Sequence, residues 1–394
     1  MFLAFSILVG ALTAVYCGHL LFFFVGLFRL KKERYSTYAK VSVVVPARNE
    51  EACIGDCLSA LLTQQYPRDL YEIIVVDDQS EDRTAQIAKA FAKDHENLKL
   101  ISAGSPPGKV SPKKHAVNLG IASSSGEIIL VTDADCVAAP DWLPSMVRCF
   151  SPEVGMVAGC VVYRRDPKMN GFFYGIQALD FLSHLFCAAG AIGMGRALTC
   201  NAANLAYRRE VFEEVGGFVR GANLISGDDD FLIQEVSRRT SWKVKFALSE
   251  ECLVTTRPAE GFRAFFHQRM RWASKGRHYH PHAVFFLSTT FLFYLLLSVG
   301  VPISLAHGSI FSVPAIGLLG KVAFDGLVVV KGCHLFHQMP LLRFFPLAEM
   351  IHIPYILAAV VGGNLRGYAW KGRWHRRGRA DLQQRDTQDE AASA

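Results

Sequence analysis

The chain has 394 residues, 51% of them hydrophobic, with 42 Lys and Arg against 35 Asp and Glu. That is too apolar for an average soluble protein and too polar for a bare membrane bundle. The net charge of +7 is modest and localised, because residues 366–379 hold six basic residues and no acid. A cluster of this kind beside apolar spans meets anionic lipid headgroups. Its basic residues are not interleaved with a nucleic-acid-binding module, so no nucleic-acid partner is expected. The ten cysteines form no C-x-x-C pair and no Cys/His zinc spacing, which points to free thiols in a reducing compartment. Cys53 and Cys57 stand one helical turn apart and read as a packed helix face.

Residues 1–28 lack Asp, Glu, Lys and Arg and are long enough to cross a hydrocarbon core of about 30 Å. With no basic start and no A-x-A site before Arg29, the segment reads as a retained anchor rather than a cleaved signal. Arg29, Lys31, Lys32 and Arg34 follow at once, which places the next domain in the cytoplasm by the positive-inside rule. Val41–Val45 is a buried-strand run, and residues 50–64 form a helix with Ile54, Leu58, Leu61 and Leu62 on one face. Strand 72–76, helix 82–93, strand 98–101, helix 113–122 and strand 127–132 continue the alternation. Strands separated by helices of this length pair in parallel through right-handed crossovers. Ligands of such sheets sit beyond the carboxyl ends of the strands.

Three acidic clusters fall at or near those ends. Asp77-Asp78 closes the second strand and either caps the next helix or hydrogen-bonds a base or ribose. Asp133-Ala134-Asp135 closes the strand IILVT. In extended chain its two carboxylates point the same way and can face one hard cation, Mg²⁺ or Mn²⁺, together with diphosphate oxygens. Asp228-Asp229-Asp230 opens an amphipathic helix. The helix dipole accounts for one acid there, and a surplus carboxylate beside a metal is a candidate general base. Downstream, Gln268, Arg271 and Trp272 share one helix face, offering an amide, a guanidinium for phosphate and an indole for a sugar ring. A membrane-surface helix would carry similar residues.

The ordered segments VVVPARNEE (43–51), IIVVDDQSEDRT (73–84), PKKHAVNLG (112–120), GEIILVTDADC (126–136), NAANLAYRREVFEEVGGF (201–218), SGDDDFL (226–232) and QRMRW (268–272) resemble the family-two glycosyltransferases. The likeness is to their membrane branch, which includes cellulose, hyaluronan and poly-N-acetylglucosamine synthases. It implies a nucleotide-diphospho-sugar transferase (GT-A type) α/β fold, a mainly parallel sheet with helices on both faces, flanked by transmembrane helices. It also implies that Pro46, Arg48, Glu50, Asp77 and Asp78 line the base and ribose pocket, with Lys113 near the phosphates. Asp135 would be the principal metal ligand, with Asp133 beside it and nearer the sugar. Asp229 falls at the base position, and Asn204 would contact sugar or acceptor. Gln268, Arg271 and Trp272 would close over the diphosphate and the acceptor. Pro112 replaces the family's usual Gly before Lys113, and Asp228 replaces its usual Glu before the base.

The expected organisation is an anchor (1–29), a cytoplasmic transferase domain (38–280), a membrane region (283–365) and a basic, then disordered tail (366–394). The expected activity is inverting, metal-dependent transfer from a UDP- or GDP-sugar to a lipid or glycan acceptor at the cytoplasmic membrane, with processive polysaccharide synthesis as the alternative. A nucleotidyltransferase would not need the Q-x-x-R-W face. Residues 172–198 read as a helix on the membrane beside the acceptor path, or else as a core helix. His184 reads as a packing residue, and Lys321 and Asp325 as an i, i+4 ion pair. Two crossings plus an interfacial segment after the domain would keep the basic tail inside.

Overall fold

The computed structural model describes residues 2–32, 35, 38–108, 110–309, 312–371 and 373–375. Arg34 and the tail from residue 376 onward lie outside the described residues. Numbering only the strands of the main sheet, β1 (Val41–Ala47), β2 (Tyr71–Asp77), β3 (Leu98–Ser102), β4 (Ile128–Val131), β5 (Val154–Ala158), β6 (Leu205–Arg208) and β7 (Lys243–Phe246) assemble in the order β3-β2-β1-β4-β6-β5-β7. The first four run parallel, and β6 alone is antiparallel to its neighbours. Central strands of a parallel sheet are covered on both faces. The run VSVVVPA of β1 is accordingly apolar almost throughout and nearly all buried. The fold is therefore the mainly parallel α/β architecture that the strand–helix alternation predicts.

The helices of nine residues or more are α1 (Phe2–Arg29), α2 (Ile54–Leu62), α3 (Thr84–Asp94), α4 (Pro112–Ala122), α5 (Gly171–Gly193), α6 (Asp228–Arg239), α7 (Phe262–Lys275), α8 (Pro281–Ala306), α9 (Val313–Leu335) and α10 (Phe345–Leu365). Helix α2 buries Ile54, Cys57, Leu58, Leu61 and Leu62, the stripe its periodicity marks. Pro112 sits in the first turn of α4, where its missing N–H costs no helical bond. None of the ten cysteines forms a disulfide.

Among the described residues, five stretches are long and apolar enough to cross a membrane: Leu3–Arg29, Gly171–Gly193, Pro281–Ala306, Val313–Leu335 and Met339–Leu365. They are not alike. For Gly171–Gly193, 78% of the apolar window is covered by the rest of the protein, against 11–33% for the other four. The expectation of a helix lying on the membrane is thus corrected: α5 is largely an internal helix, and its apolar composition serves protein neighbours. Its grip on α1 uses small residues. A Cβ added at Gly26, Gly190 or Gly193 would collide with the backbone of the opposite helix, so the two backbones approach as only glycine permits.

Both ends of Met339–Leu365 meet the sheet domain. Phe336, just before it, packs on Phe246 of β7 (5.5 Å between ring centroids), and Phe344 packs on Phe172 of α5 (6.1 Å). At the other end, Gly363 lies against the backbone of Met270 in α7. The hairpin Tyr368–Trp370/Arg373–His375 follows, and there the Ala369 amide meets His267 Nδ1 at 3.3 Å.

Lys321 and Asp325 pair at 2.7 Å, as expected, and Lys321 also holds Glu349 at 2.5 Å. Tyr16 donates to Asp325 at 2.6 Å and pairs with Tyr294 at 2.9 Å. The network ties α1, α8, α9 and α10 together. Asp325, Glu349 and His352 bring ligand atoms within 4.8 Å of one another, yet the Lys321 ammonium already stands against both carboxylates, where a cation would sit.

Gly190→Leu should drive α1 and α5 apart and cost about 3 kcal/mol or more, read as a lower Tm of the detergent-solubilised protein. Gly18→Leu is the control, because a Cβ there meets nothing within 4 Å. Equal Tm values for the two variants would contradict the close α1–α5 contact.

Candidate functional site

The carboxyl ends of β1, β2 and β4 open into a cavity of about 1540 Å³. Pro46, Arg48, Glu50, Asp78, Lys113, Asp133 and Asp135 line it from the parallel half of the sheet. Asp228, Asp229 and Asp230 reach it from the start of α6, and Gln268, Arg271, Trp272 and Lys275 from α7. Carboxylates far apart in sequence thus share one chamber, and cations are set between them.

Lys113 bridges two of the clusters, with Nζ 2.7 Å from Asp133 Oδ1 and 3.6 Å from Asp228 Oδ2. Burial works against its ammonium, but Asp133 and Asp228 outweigh that and hold it well above the ordinary lysine range. Lys275 stands 2.5 Å from Asp230 and 3.7 Å from Asp229. Arg48 donates to the Asp78 carbonyl at 2.8 Å and lies 3.8 Å from its carboxylate.

The three aspartates of α6 divide by their partners. Asp230 is 1% exposed and accepts from Thr199, from Tyr279 (2.5 Å) and from Lys275, so its oxygens are committed. Asp228 is held by Lys113, and despite burial the surrounding lysines, Lys113 first, keep it below the usual carboxylate range. Among the described residues, Asp229 accepts only from backbone amides, Ala202 N at 3.1 Å and Asp230 N at 2.8 Å, besides the longer Lys275 contact. Burial, reinforced by the charge of Asp230 and partly opposed by Lys275, raises it to about 6. A carboxyl poised there accepts a proton near neutral pH.

Asp133 and Asp135 face the same space. Burial first, and the neighbouring charge of Asp133 second, push Asp135 above its ordinary value. A divalent cation would remove that strain, and oxygen donors suit Mg²⁺ or Mn²⁺. Across the cavity Arg271 has its Nε buried without a partner, the state of a guanidinium waiting for an anion. Two carboxylates and a guanidinium with an unpartnered Nε, all lining one cavity, fit a cation–diphosphate pair. Trp272 is seated on Phe181 (5.9 Å) with Arg269 over its ring (4.2 Å). Gln268 accepts from Tyr163 at 3.4 Å. Arg269 itself turns away to Asp180, at 2.7 and 2.5 Å, and His184 packs edge-on against Trp272.

Two expected contacts are corrected. Asn204 does not touch the cavity: it is 0% exposed, its carbonyl accepts from Trp142 Nε1, and its amide donates to the Cys160 and Cys252 carbonyls. Those bonds join β6 to the small sheet formed by residues 137–138, 161–163 and 254–256. Asp77 also stays out of the chamber, since neighbouring residues of an extended chain point to opposite faces. Its Oδ2 receives the Ser80 amide at 3.4 Å instead.

Lys275 of α7 was missed, and so was a pair beyond the apolar spans. The basic segment read as a membrane flank sends Trp370 and Lys371 into the cavity wall. Lys371 pairs with Glu50, and Arg271 lies over the Trp370 ring at 5.2 Å. An aromatic-basic pair after an apolar span was the available signal, but nothing in the local pattern separates a lipid-facing pair from a domain-facing one.

Residues 39–275, more than half of the chain, match the family described as "Glycosyltransferase like family 2". The chain is 28% identical over 257 residues to the probable glycosyltransferase YdaM of Bacillus subtilis (63% of this chain, 57% of that protein). It is 31% identical over 259 residues to the beta-monoglucosyldiacylglycerol synthase of Trichormus variabilis (62% and 51%). It is 26% identical over 257 residues to the poly-beta-1,6-N-acetyl-D-glucosamine synthase of Staphylococcus epidermidis (63% and 57%). The aligned region spans a little over half the length of these relatives. Among solved structures, the mannosyltransferase PcManGT of Pyrobaculum calidifontis, determined with GDP-Man and Mn²⁺, has the same fold. Its TM-score is 0.56 at 22% identity, covering 91% of this chain and 98% of that one. The chain belongs to glycosyltransferase family 2.

Proposed function

We propose that the protein transfers a sugar from a nucleoside-diphosphate sugar to a hydroxyl of a membrane-associated acceptor, a lipid in the first instance, with inversion at the anomeric carbon. The observation that carries this reading is the meeting of Asp78, Asp135, Asp229 and Arg271 in one cavity whose walls continue into the apolar helices. Pro46, Arg48 and Asp78 lie where a base and ribose would rest. Asp135, with Asp133, would hold Mg²⁺ or Mn²⁺, which supplies charge neutralisation for the diphosphate when bound.

Asp229 takes the acceptor hydroxyl proton as that oxygen bonds to the anomeric carbon. The bond from that carbon to the diphosphate oxygen breaks, and its electron pair leaves with the diphosphate. Arg271 meets the charge that develops there. One displacement inverts the centre, so an α-linked donor gives a β-linked product. Trp272 offers its indole face to a sugar ring.

The membrane arrangement that fits is three crossings, α1, α8 and α9. Met339–Leu365 leaves from and returns to the domain side, as its contacts at both ends support. The hairpin carrying Lys371 then lies on the domain's side, which Arg29, Lys31 and Lys32 mark as cytoplasmic. A second reading, processive polysaccharide synthesis, is favoured by one feature: the cavity runs on between the helices to Tyr16, Asp325 and Glu349, a wall suited to hydroxyl-rich chains.

Asp229→Asn should leave donor binding intact and lower transfer by about 10²–10⁴-fold, measured as nucleoside diphosphate release with membrane lipid extract. Retained turnover would remove Asp229 from the role of base. Because Asp229 must be ionised to act, kcat/KM should fall tenfold per pH unit below an acid limb at or under about 6. An acid limb above pH ~8, with activity lost below it, would assign the titration to another group. For the topology, a reporter active only in the cytoplasm should work when fused after residue 394 and fail when inserted at Ser309. The same signal at both positions would rule out the three-crossing arrangement.

A further inference from the structure

Helix α4 carries two lysines in succession, about 100° apart around its axis, and they serve different partners. Lys113 faces the carboxylates of the cavity. Lys114 is 0% exposed, a state lysine almost never adopts without partners. Its partners are three backbone carbonyls: Gly221 at 2.6 Å, Leu224 at 2.9 Å and Ser226 at 3.4 Å. An ammonium has three N–H donors and no acceptor, so its whole capacity is spent on one short loop. The start of α4 adds two more holds on that loop. The Ser111 amide donates to the Ala222 carbonyl at 2.8 Å, and Ser111 Oγ donates to the Ile225 carbonyl at 3.3 Å.

The loop so gathered leads directly into Asp228–Asp230. It passes through Gly221 (φ +68) and Gly227 (φ +92), and a Cβ at either would press on the Phe231 ring. Three carbonyl dipoles converging on one buried point repel one another unless a cation sits among them. We propose that Lys114 is a positioning residue, whose ammonium gathers residues 221–226 and thereby sets Asp229 at the transfer site. The inference rests on the reading of Asp229 as base.

This clamp carries its own pH dependence. Burial pulls Lys114 down to about 8; the charges of Asp228, Asp229 and Asp230 on α6 work the other way, and Lys275 on α7 adds to the fall. The uncharged Phe231 ring lies 5.5 Å from Nζ, with Arg220 also within cation–π range of it. Below that pH the three-donor ammonium dominates. Above it the neutral amine keeps two N–H bonds and turns a lone pair toward a carbonyl, so the hold weakens as pH rises.

The test is steady-state transfer by the full chain in detergent from about pH 6.5 to about pH 10, comparing wild type, Lys114→Met and Lys114→Arg. Wild-type kcat should fall through pH ~8 with the donor KM unchanged. Lys114→Met should start at least about tenfold lower in kcat at neutral pH and lack that alkaline limb. Lys114→Arg, charged throughout, should recover part of kcat and hold it beyond pH ~9. A Lys114→Met enzyme with wild-type kcat, or with the same alkaline limb, overturns the assignment. If Lys114→Met does not fold, hydrogen exchange on the wild type decides. Corrected for intrinsic rates, amides of residues 221–227 should exchange faster at about pH 9 than at about pH 7, and unchanged protection overturns the clamp. A wild type that releases diphosphate from no nucleotide sugar refutes the functional reading instead, and the exchange experiment still tests the clamp on its own.

Discussion

Of the carboxylates that line the cavity, seven come from the strand ends and the start of α6: Glu50, Asp78, Asp133, Asp135 and the three of α6. Like charges brought together out of water raise one another's proton affinity and oppose folding unless cations are placed between them. Everything near the site can be understood as a response to that repulsion. Lys113 stands between Asp133 and Asp228, Lys275 between Asp229 and Asp230, Arg48 beside Asp78 and Lys371 beside Glu50. The compensation is incomplete at three of the seven, Glu50, Asp135 and Asp229, which are all held above their ordinary values. Of these, the proposed function gives Asp135 to a metal and Asp229 to a proton.

The scaffold delivers the groups from four directions. Parallel strands end at one rim, so Asp78 and Asp135 arrive together because β2 and β4 both pair with β1. Helix α4 fixes the loop before α6 and also presents Lys113. Helix α7 lies across the opening, its Arg269 anchored on Asp180 of α5 while Gln268 and Arg271 face inward. Helix α5 is clasped in turn by α1 through glycines, so the apolar helices are a structural wall of the site rather than a tether alone.

Much of this was legible in the amino-acid sequence, and the reason is local. The strand runs around Val43, Ile74 and Ile129 are apolar because both sheet faces are covered, and the rule that ligands meet parallel strands at their carboxyl ends then picked out the clusters Asp77-Asp78 and Asp133–Asp135, though not which member of each pair enters the cavity. Groups whose meaning depends on distant neighbours were not legible. Asn204 owes its role to Trp142, Cys160 and Cys252, none of them near it in sequence. Helix α5 is apolar either way, whether lipid or α1 covers it. Lys114 beside Lys113 looks like a solvated pair until the loop that wraps it is placed. Lys371 sits in a basic run whose composition suits a lipid surface equally well.

The central claim is that this cavity binds a nucleoside diphosphate through a cation held by Asp135. Titration calorimetry of UDP and GDP into the solubilised protein, with and without Mn²⁺, tests it directly. The account predicts tight binding of at least one of them only with the metal, weakened at least about tenfold in Asp135→Asn. Binding of equal strength without metal, or unaffected by the Asp135 substitution, would contradict it.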